Sequence, residues 1–196
     1  MRWIELAVGL VVVGTLGVAR APAPSHSSAD AFRESYQLEA SQDYQGAIRT
    51  LTAAHPSSSR NYLLQLRLGW LYYLQGAHAN ALRHYQAAVL LSPRAVEPRL
   101  GQMLPLLAQG KYAEVEVLAR EVLKLDGNHY TASLRLAHAL RRQGKLPQAE
   151  QINDQMLRLY PTDVAFLVEQ GYTYLAERRS ADAARVFAEV LLLVPD

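Results

Sequence analysis

The sequence predicts an all-α array of about five helix-turn-helix units, preceded by one N-terminal hydrophobic helix. Three observations carry that expectation. The chain repeats itself at a constant interval, the step from Gly76 to Gly110 and again to Gly144; apolar residues within each repeat are spaced by three and four; and helix breakers recur at one phase of the period. With 196 residues, half of them hydrophobic and only 19% charged, the chain can pack a core and does not have the composition of a disordered tail. Its 20 basic and 18 acidic residues leave a net charge of +2, which is no signature of a nucleic-acid binder. The lack of cysteine excludes disulfides, thiolate metal sites, iron–sulfur clusters and cysteine nucleophiles.

The first element covers residues 1–20. Leu6 to Ala19 is uncharged, and the stretch between Arg2 and Arg20 would span roughly 26 Å as a helix, just short of a bilayer core of roughly 30 Å. Two readings stay open beside that of a simple buried segment. An uncleaved signal anchor puts Trp3 at the interface and Arg2 and Arg20 at the ends. A cleaved secretory signal uses Ala19-Arg20-Ala21 or Ala21-Pro22-Ala23, each of which leaves a proline directly after the cut. The anchor is carried forward as the expectation: a bacterial inner-membrane protein, single-pass, with its repeats in the periplasm. Export after signal cleavage is the alternative. Residues 21–29 then serve as a flexible tether, and 30–196 form the array, in units near 28–61, 62–95, 96–129, 130–163 and 164–196.

The units follow from columns of residues one period apart. Gly76, Gly110 and Gly144 form one column, and Ala47, Ala81, Val115, Ala149 and Ala183 form a second, small and apolar. A third holds Leu51, Tyr85, Ala119, Asn153 and Phe187, where only Asn153 is out of character, and a fourth holds the breakers Pro93, Gly127, Pro161 and Pro195. Within a unit, Leu134, Leu136, Ala137 and Leu140 keep helical spacing up to Gly144, and Pro147 opens a second helix through Leu157 and Leu159. Glycine suits the left-handed end of the first helix, proline the first turn of the second, where its missing N–H has no partner to lose. The expected helices are 30–41 and 44–54, 61–75 and 78–91, 96–109 and 112–125, 130–143 and 147–159, and 164–177 and 180–193.

Leu68-Gly69, Tyr72, Gly76, Ala81, Tyr85, Ala88 and Pro93, and again Gly171, Tyr174, Ala183, Phe187 and Pro195, stand where the tetratricopeptide repeat motif places its signature residues, so the chain resembles that family. Some positions depart from the motif: Gln42 and Arg178 fall in the glycine column, Ser35 and Met103 at the small-residue position, and Pro105 inside a first helix, where it should kink the helix. The resemblance implies a right-handed superhelix whose first helices line a concave face. It puts Phe32, Leu66, Leu100, Leu134 and Val168 on that face, beside Tyr36, Trp70, Leu104, His138 and Tyr172, and then Glu39, Tyr73, Leu107, Arg141 and Leu175. The groove is apolar and aromatic at its N-terminal end and mixed toward His138 and Arg141. Chaperone-binding members of the family hold C-terminal carboxylates with lysines and asparagines, and these positions carry neither. An amphipathic helix or an extended apolar peptide fits better. For the Phe32 column, packing between repeats competes with ligand contact; Tyr36, Trp70 and Tyr73 read as exposed anchors.

From Tyr44 to Ala113 seven bases face one acid, Glu97, a local net of +6, while the last unit nets −2. The arginines follow no single stripe and read as solvated. Arg135, Arg141, Arg142 and Lys145 gather toward the end of one helix, where cations also suit the dipole. No glycine-rich phosphate loop, no Gly-x-Ser-x-Gly elbow and no His-Glu-x-x-His helix is present, and His78 and His84 lack metal-ligand spacing. The expectation is a non-catalytic protein without cofactor, with no role in nucleic-acid binding. At the C-terminal end, Leu191, Leu192 and Leu193 form a candidate interface for a partner or a second copy. The chain reads as an assembly factor or accessory subunit of an envelope complex, holding a membrane-proximal partner polypeptide; the alternative is a permanent structural subunit.

Overall fold

The computed structural model describes residues 27–56 and 60–194. Residues 1–20, expected to reach a membrane, and Pro195 lie outside the described residues. Among the described residues the chain is entirely helical, in five hairpins. They are α1 (Ser28–Ala40) with α2 (Tyr44–Ala54), α3 (Tyr62–Leu74) with α4 (His78–Leu91), α5 (Glu97–Ala108) with α6 (Tyr112–Leu125), α7 (Tyr130–Arg142) with α8 (Leu146–Leu159), and α9 (Val164–Ala176) with α10 (Ser180–Leu193). Every boundary lies within two residues of its expected place. Helix α1 starts inside the expected tether, because the Ser27 hydroxyl caps it by accepting from the Asp30 N–H. Asp43, Asn61 and Asp163 cap α2, α3 and α9 in the same way. No helix among the described residues is long and apolar enough to cross a membrane.

The turn inside each hairpin is one left-handed residue. Its φ is +79°, +70° and +75° at Gly76, Gly110 and Gly144, and +63° and +62° at Gln42 and Arg178. The turn geometry therefore survives where glycine is missing, and the side chain there carries the steric cost of that conformation. The other departure that resolves is Pro105. The proline does not break the helix: α5 runs from Glu97 to Ala108 with Pro105 buried in its last turn. The N–H groups of Gln109, Gly110 and Lys111 close onto the Pro105, Leu106 and Leu107 carbonyls, so the turn that follows the proline is fully bonded.

Each second helix packs on the first helix of the next hairpin, and α3, α5, α7 and α9 also pack side by side. Successive second helices have no comparable mutual contact among the described residues. The array therefore curves with its first helices on the inner side. Close approach depends on small residues. The Tyr85 ring is wedged between Gly69 of α3 and Gly101 of α5, and a Cβ added at Gly69 would sit 2.8 Å from it, with even less room at Gly101. Phe187 fills the same place against Gly171. The small apolar column Ala47, Ala81, Val115, Ala149 and Ala183 is at most 1% exposed. Asn153 is fully buried too; its amide reaches Thr173 Oγ1 at 3.4 Å and its carbonyl oxygen has no partner among the described residues.

Gln42→Gly and Arg178→Gly should each stabilise the fold by about 1 kcal/mol by relieving the left-handed strain. Urea melts followed by far-ultraviolet circular dichroism measure this; unchanged or lowered midpoints would show that the turn stores no strain.

Candidate functional site

Because α1, α3, α5, α7 and α9 form the inner wall, residues one turn apart on them share its surface. Phe32, Leu66, Leu100, Leu134 and Val168 are all half-buried, neither core nor free. Tyr36 and Tyr172 are 58% and 48% exposed, while Trp70, Tyr73, Leu104, His138 and Arg141 are half-buried. The backbones of α1 and α3 do not approach as closely as those of later first helices, and side chains span the gap. That spacing leaves a hollow of about 430 Å³ lined by Phe32, Tyr36, Leu66 and Trp70 together with Leu63, Glu39 and Arg67. Leu63, 63% exposed, was not singled out from the sequence, although it lies three residues before Leu66 and seven before Trp70 on the same helical face.

The hollow has a polar floor. Arg67, read from the sequence as a solvated base, is buried. Its Nε donates to Ser35 Oγ at 3.1 Å, Nη2 to the Ser35 carbonyl at 2.9 Å, and Nη1 to Glu39. Ser35, another departure from the motif, is thus a hydrogen-bond partner in the place of a packing residue. The second Glu39 oxygen accepts from Trp70 Nε1 at 2.7 Å. The guanidinium lies over the Tyr36 ring, 3.8 Å from its centroid. Tyr36 and Trp70 are therefore held in place by the protein itself, one by stacking and one by a hydrogen bond.

A second charge pair stands at the far end with its order reversed. Arg141 of α7 donates through Nε to Glu169 of α9 at 2.5 Å and through Nη2 at 3.2 Å, and His138 Nδ1 lies 3.4 Å from the same carboxylate. The Arg141 guanidinium also lies 5.3 Å from the Tyr172 ring centroid. His138, expected on the groove face, belongs to this network. Burial pushes the Glu169 carboxyl up, but the hydrogen bonds from His138 and Arg141 outweigh it and hold the carboxyl below its ordinary value. Both acid–arginine pairs span the same interval of sequence, Glu39 to Arg67 and Arg141 to Glu169, so a search for complementary charges at one fixed spacing would have found them.

The remaining cations of the α7 end are also engaged: Lys145 with Glu116 at 2.7 Å and Arg142 over the Tyr112 ring. His84 stacks on Tyr72 and meets Gln65 Oε1 at 2.7 Å, and burial, with Arg83 nearby, pushes its pKa down to about 4. Among the described residues, no three His, Asp or Glu side chains gather where they could hold a metal ion. At the end of α10, Leu191, Leu192 and Leu193 are 61%, 84% and 39% exposed, and Val194, just past the helix, is 55% exposed.

Stacked helical hairpins around a curved inner wall define an α-solenoid with a concave groove. Two family models, both described as tetratricopeptide repeat, match residues 32–96 and 106–167, together more than half of the chain. The chain carries tetratricopeptide repeats and belongs with the proteins built from them. The fifth hairpin lies mostly beyond the matched residues, yet it keeps the ring-on-glycine contact of Phe187 with Gly171. No curated protein matches. Among solved structures, MamA 41-end from Desulfovibrio magneticus RS-1 is similar at TM-score 0.76 and 15% identity, over 85% of this chain and 94% of that one. A tetratricopeptide repeat protein from Parabacteroides merdae ATCC 43184 gives TM-score 0.77 and 19% identity, over 86% and 67%. A MamA crystal structure gives 0.72 and 16%, over 84% and 90%. At these identities the likeness is one of fold.

The depressed Glu169 carboxyl adds stability that is present above its ordinary value of 4.5 and is lost as pH falls through the lower folded value. Glu169→Gln, which leaves Arg141 without its carboxylate, should cost roughly 2 kcal/mol at neutral pH and lose less on acidification than the parent. Thermal melts at pH 7 and pH 3 read both; equal acid losses in the two proteins would contradict the assigned pairing.

Proposed function

We propose that the chain is a non-catalytic scaffold that holds a partner polypeptide in its concave groove. It would do so tethered to a membrane through residues 1–20, as an assembly factor or accessory subunit of an envelope complex. The observation that carries this reading is the hollow between α1 and α3. It is apolar and aromatic, opens to solvent, and is lined by side chains already fixed by Arg67 and Glu39. A partner side chain entering it buries apolar area without having to order Tyr36 or Trp70, so the conformational cost of binding is low. Tethering would raise the effective concentration for membrane-proximal partners.

Photo-crosslinking in intact source membranes tests the reading. A crosslinker at Leu63 should trap a polypeptide in the membrane fraction, while Tyr36→Ala and Trp70→Ala should weaken its capture about tenfold or more. Tyr36→Ala, at an exposed ring, should hardly move the thermal midpoint. Unchanged capture, with stability lost in both variants, would make these core residues and end the groove reading. Recovery of the crosslinked chain only in the soluble fraction would end the tether.

A second reading, a permanent subunit of a larger assembly, is favoured by the exposed leucines of α10. Here Leu191 and Leu192 would seat a second copy or another subunit. Sedimentation of the full chain at micromolar concentration should then show a species larger than the monomer, and Leu192→Glu should return it to monomer with the thermal midpoint unchanged. A clean monomer for the parent chain removes self-association.

A further inference from the structure

The repeat carries a second, doubled period. Tyr62, Leu66, Arg67 and Leu68 of α3 recur two hairpins later, as Tyr130, Leu134, Arg135 and Leu136 of α7. Arg67 and Arg135 thus stand at equivalent places. Their surroundings are not equivalent. The residues that satisfy Arg67 are Ser35 and Glu39; at the matching places two hairpins on stand Met103 and Leu107, both apolar. Arg135 keeps one hydrogen bond, from Nη1 to the Leu100 carbonyl at 2.6 Å. Four lysine or arginine side chains among the described residues are buried or half-buried: Arg67, Arg99, Arg135 and Arg141. Three have a carboxylate, on Glu39, Glu121 and Glu169 respectively. Arg135 has none among the described residues. The titratable groups that act on it are the phenols of Tyr73 and Tyr85, and burial pushes the arginine's own pKa down.

A guanidinium presents five N–H donors, and a half-buried one without a counterion bears a desolvation cost that a carboxylate would offset. We propose that Arg135 takes the side-chain carboxylate of an aspartate or glutamate in the polypeptide that occupies the groove. The occupant is then an apolar segment with an acidic residue near its middle. This deepens the groove reading above and rests on it. The carboxylate is placed within the partner chain, because Arg135 stands on α7 at the place that Arg67, which lines the hollow, holds on α3, and first helices of the inner wall flank α7 on both sides. The apolar hollow lies toward α1, and Tyr172 with the Arg141–Glu169 pair toward α9. The partner's acid would do for Arg135 what Glu39 does for Arg67.

The test uses an array of labelled amphipathic peptides of about 18 residues, long enough as helices to run along several hairpins. Each has a leucine and tryptophan face and is made in three forms. The first carries a central Glu and an amidated C-terminus, the second Gln in its place and an amidated C-terminus, the third Gln and a free C-terminal carboxylate. Fluorescence anisotropy gives the affinities. The full chain should bind the Glu forms about tenfold or more tighter than both Gln forms, the scale of one charge-assisted hydrogen bond. That preference should vanish in Arg135→Gln. It should vanish also in Leu107→Glu, which offers Arg135 an internal carboxylate; if that variant fails to fold, Arg135→Gln decides alone. Equal binding of Glu and Gln forms, or a preference that persists in Arg135→Gln, overturns the inference and leaves the groove reading standing. Tight binding of the free-terminus form alone overturns the chain-internal source. Binding of no peptide in any form overturns the groove reading and this inference with it.

Discussion

A helical hairpin has two faces to bury and only one partner helix of its own, so everything here depends on how closely the next hairpin can come. Close approach is set by glycine on one side and an aromatic ring on the other. Tyr85 lies where a Cβ on Gly69 or Gly101 would stand, and Phe187 does the same at Gly171. In a close-packed interior such contacts leave no slack, so ring and glycine fix the spacing between hairpins together. Where the motif's small residue is replaced, the structure compensates by other means. Ser35 becomes the acceptor for a buried arginine, and Met103 fills the space as core.

Curvature and groove follow from that spacing. From α3 onward the first helices pack side by side, while successive second helices make no comparable backbone contact among the described residues, so the wall is concave and many of its side chains are half-buried. Half-burial makes charge consequential: a pair here is screened less than one on the outer helices. The chain places such pairs at both ends of the groove, Arg67 with Glu39 and Arg141 with Glu169, in opposite orders along the sequence. Each pair also stacks on or bonds to a groove aromatic, Tyr36 and Trp70 at one end and Tyr172 at the other. The charges therefore pre-order the rings while they stabilise the junction between hairpins.

Period and polarity made most of the fold legible. Five hairpins, their boundaries, the left-handed turns and the column of buried small residues can be read from the spacing of Gly76, Gly110 and Gly144 and of Ala47 through Ala183. The candidate site was legible in its apolar part, Phe32, Tyr36, Leu66 and Trp70, which the hollow brings together. Its polar part was not. Arg67 and Arg135 look alike as letters, both arginines in a first helix, and Glu39 and Leu107 lie far from them along the chain. Pro105 looked like a fault and proves compatible with a continuous helix, because only the local bonding pattern decides what the missing N–H costs.

The sequence by itself determined the secondary structure and the stacking order. Helix periodicity, caps and breakers act within a few residues, and a repeat held in constant register dictates identical neighbours. Tertiary structure decided which charges are paired and which aromatics are held still. Those outcomes depend on which side chains from separate hairpins arrive at the same half-buried spot, and on how much solvent remains there. The gap between α1 and α3, the burial of Arg67 against Glu39 and the carboxylate missing beside Arg135 exist only once the helices are packed, because each is a relation across the gap between two helices.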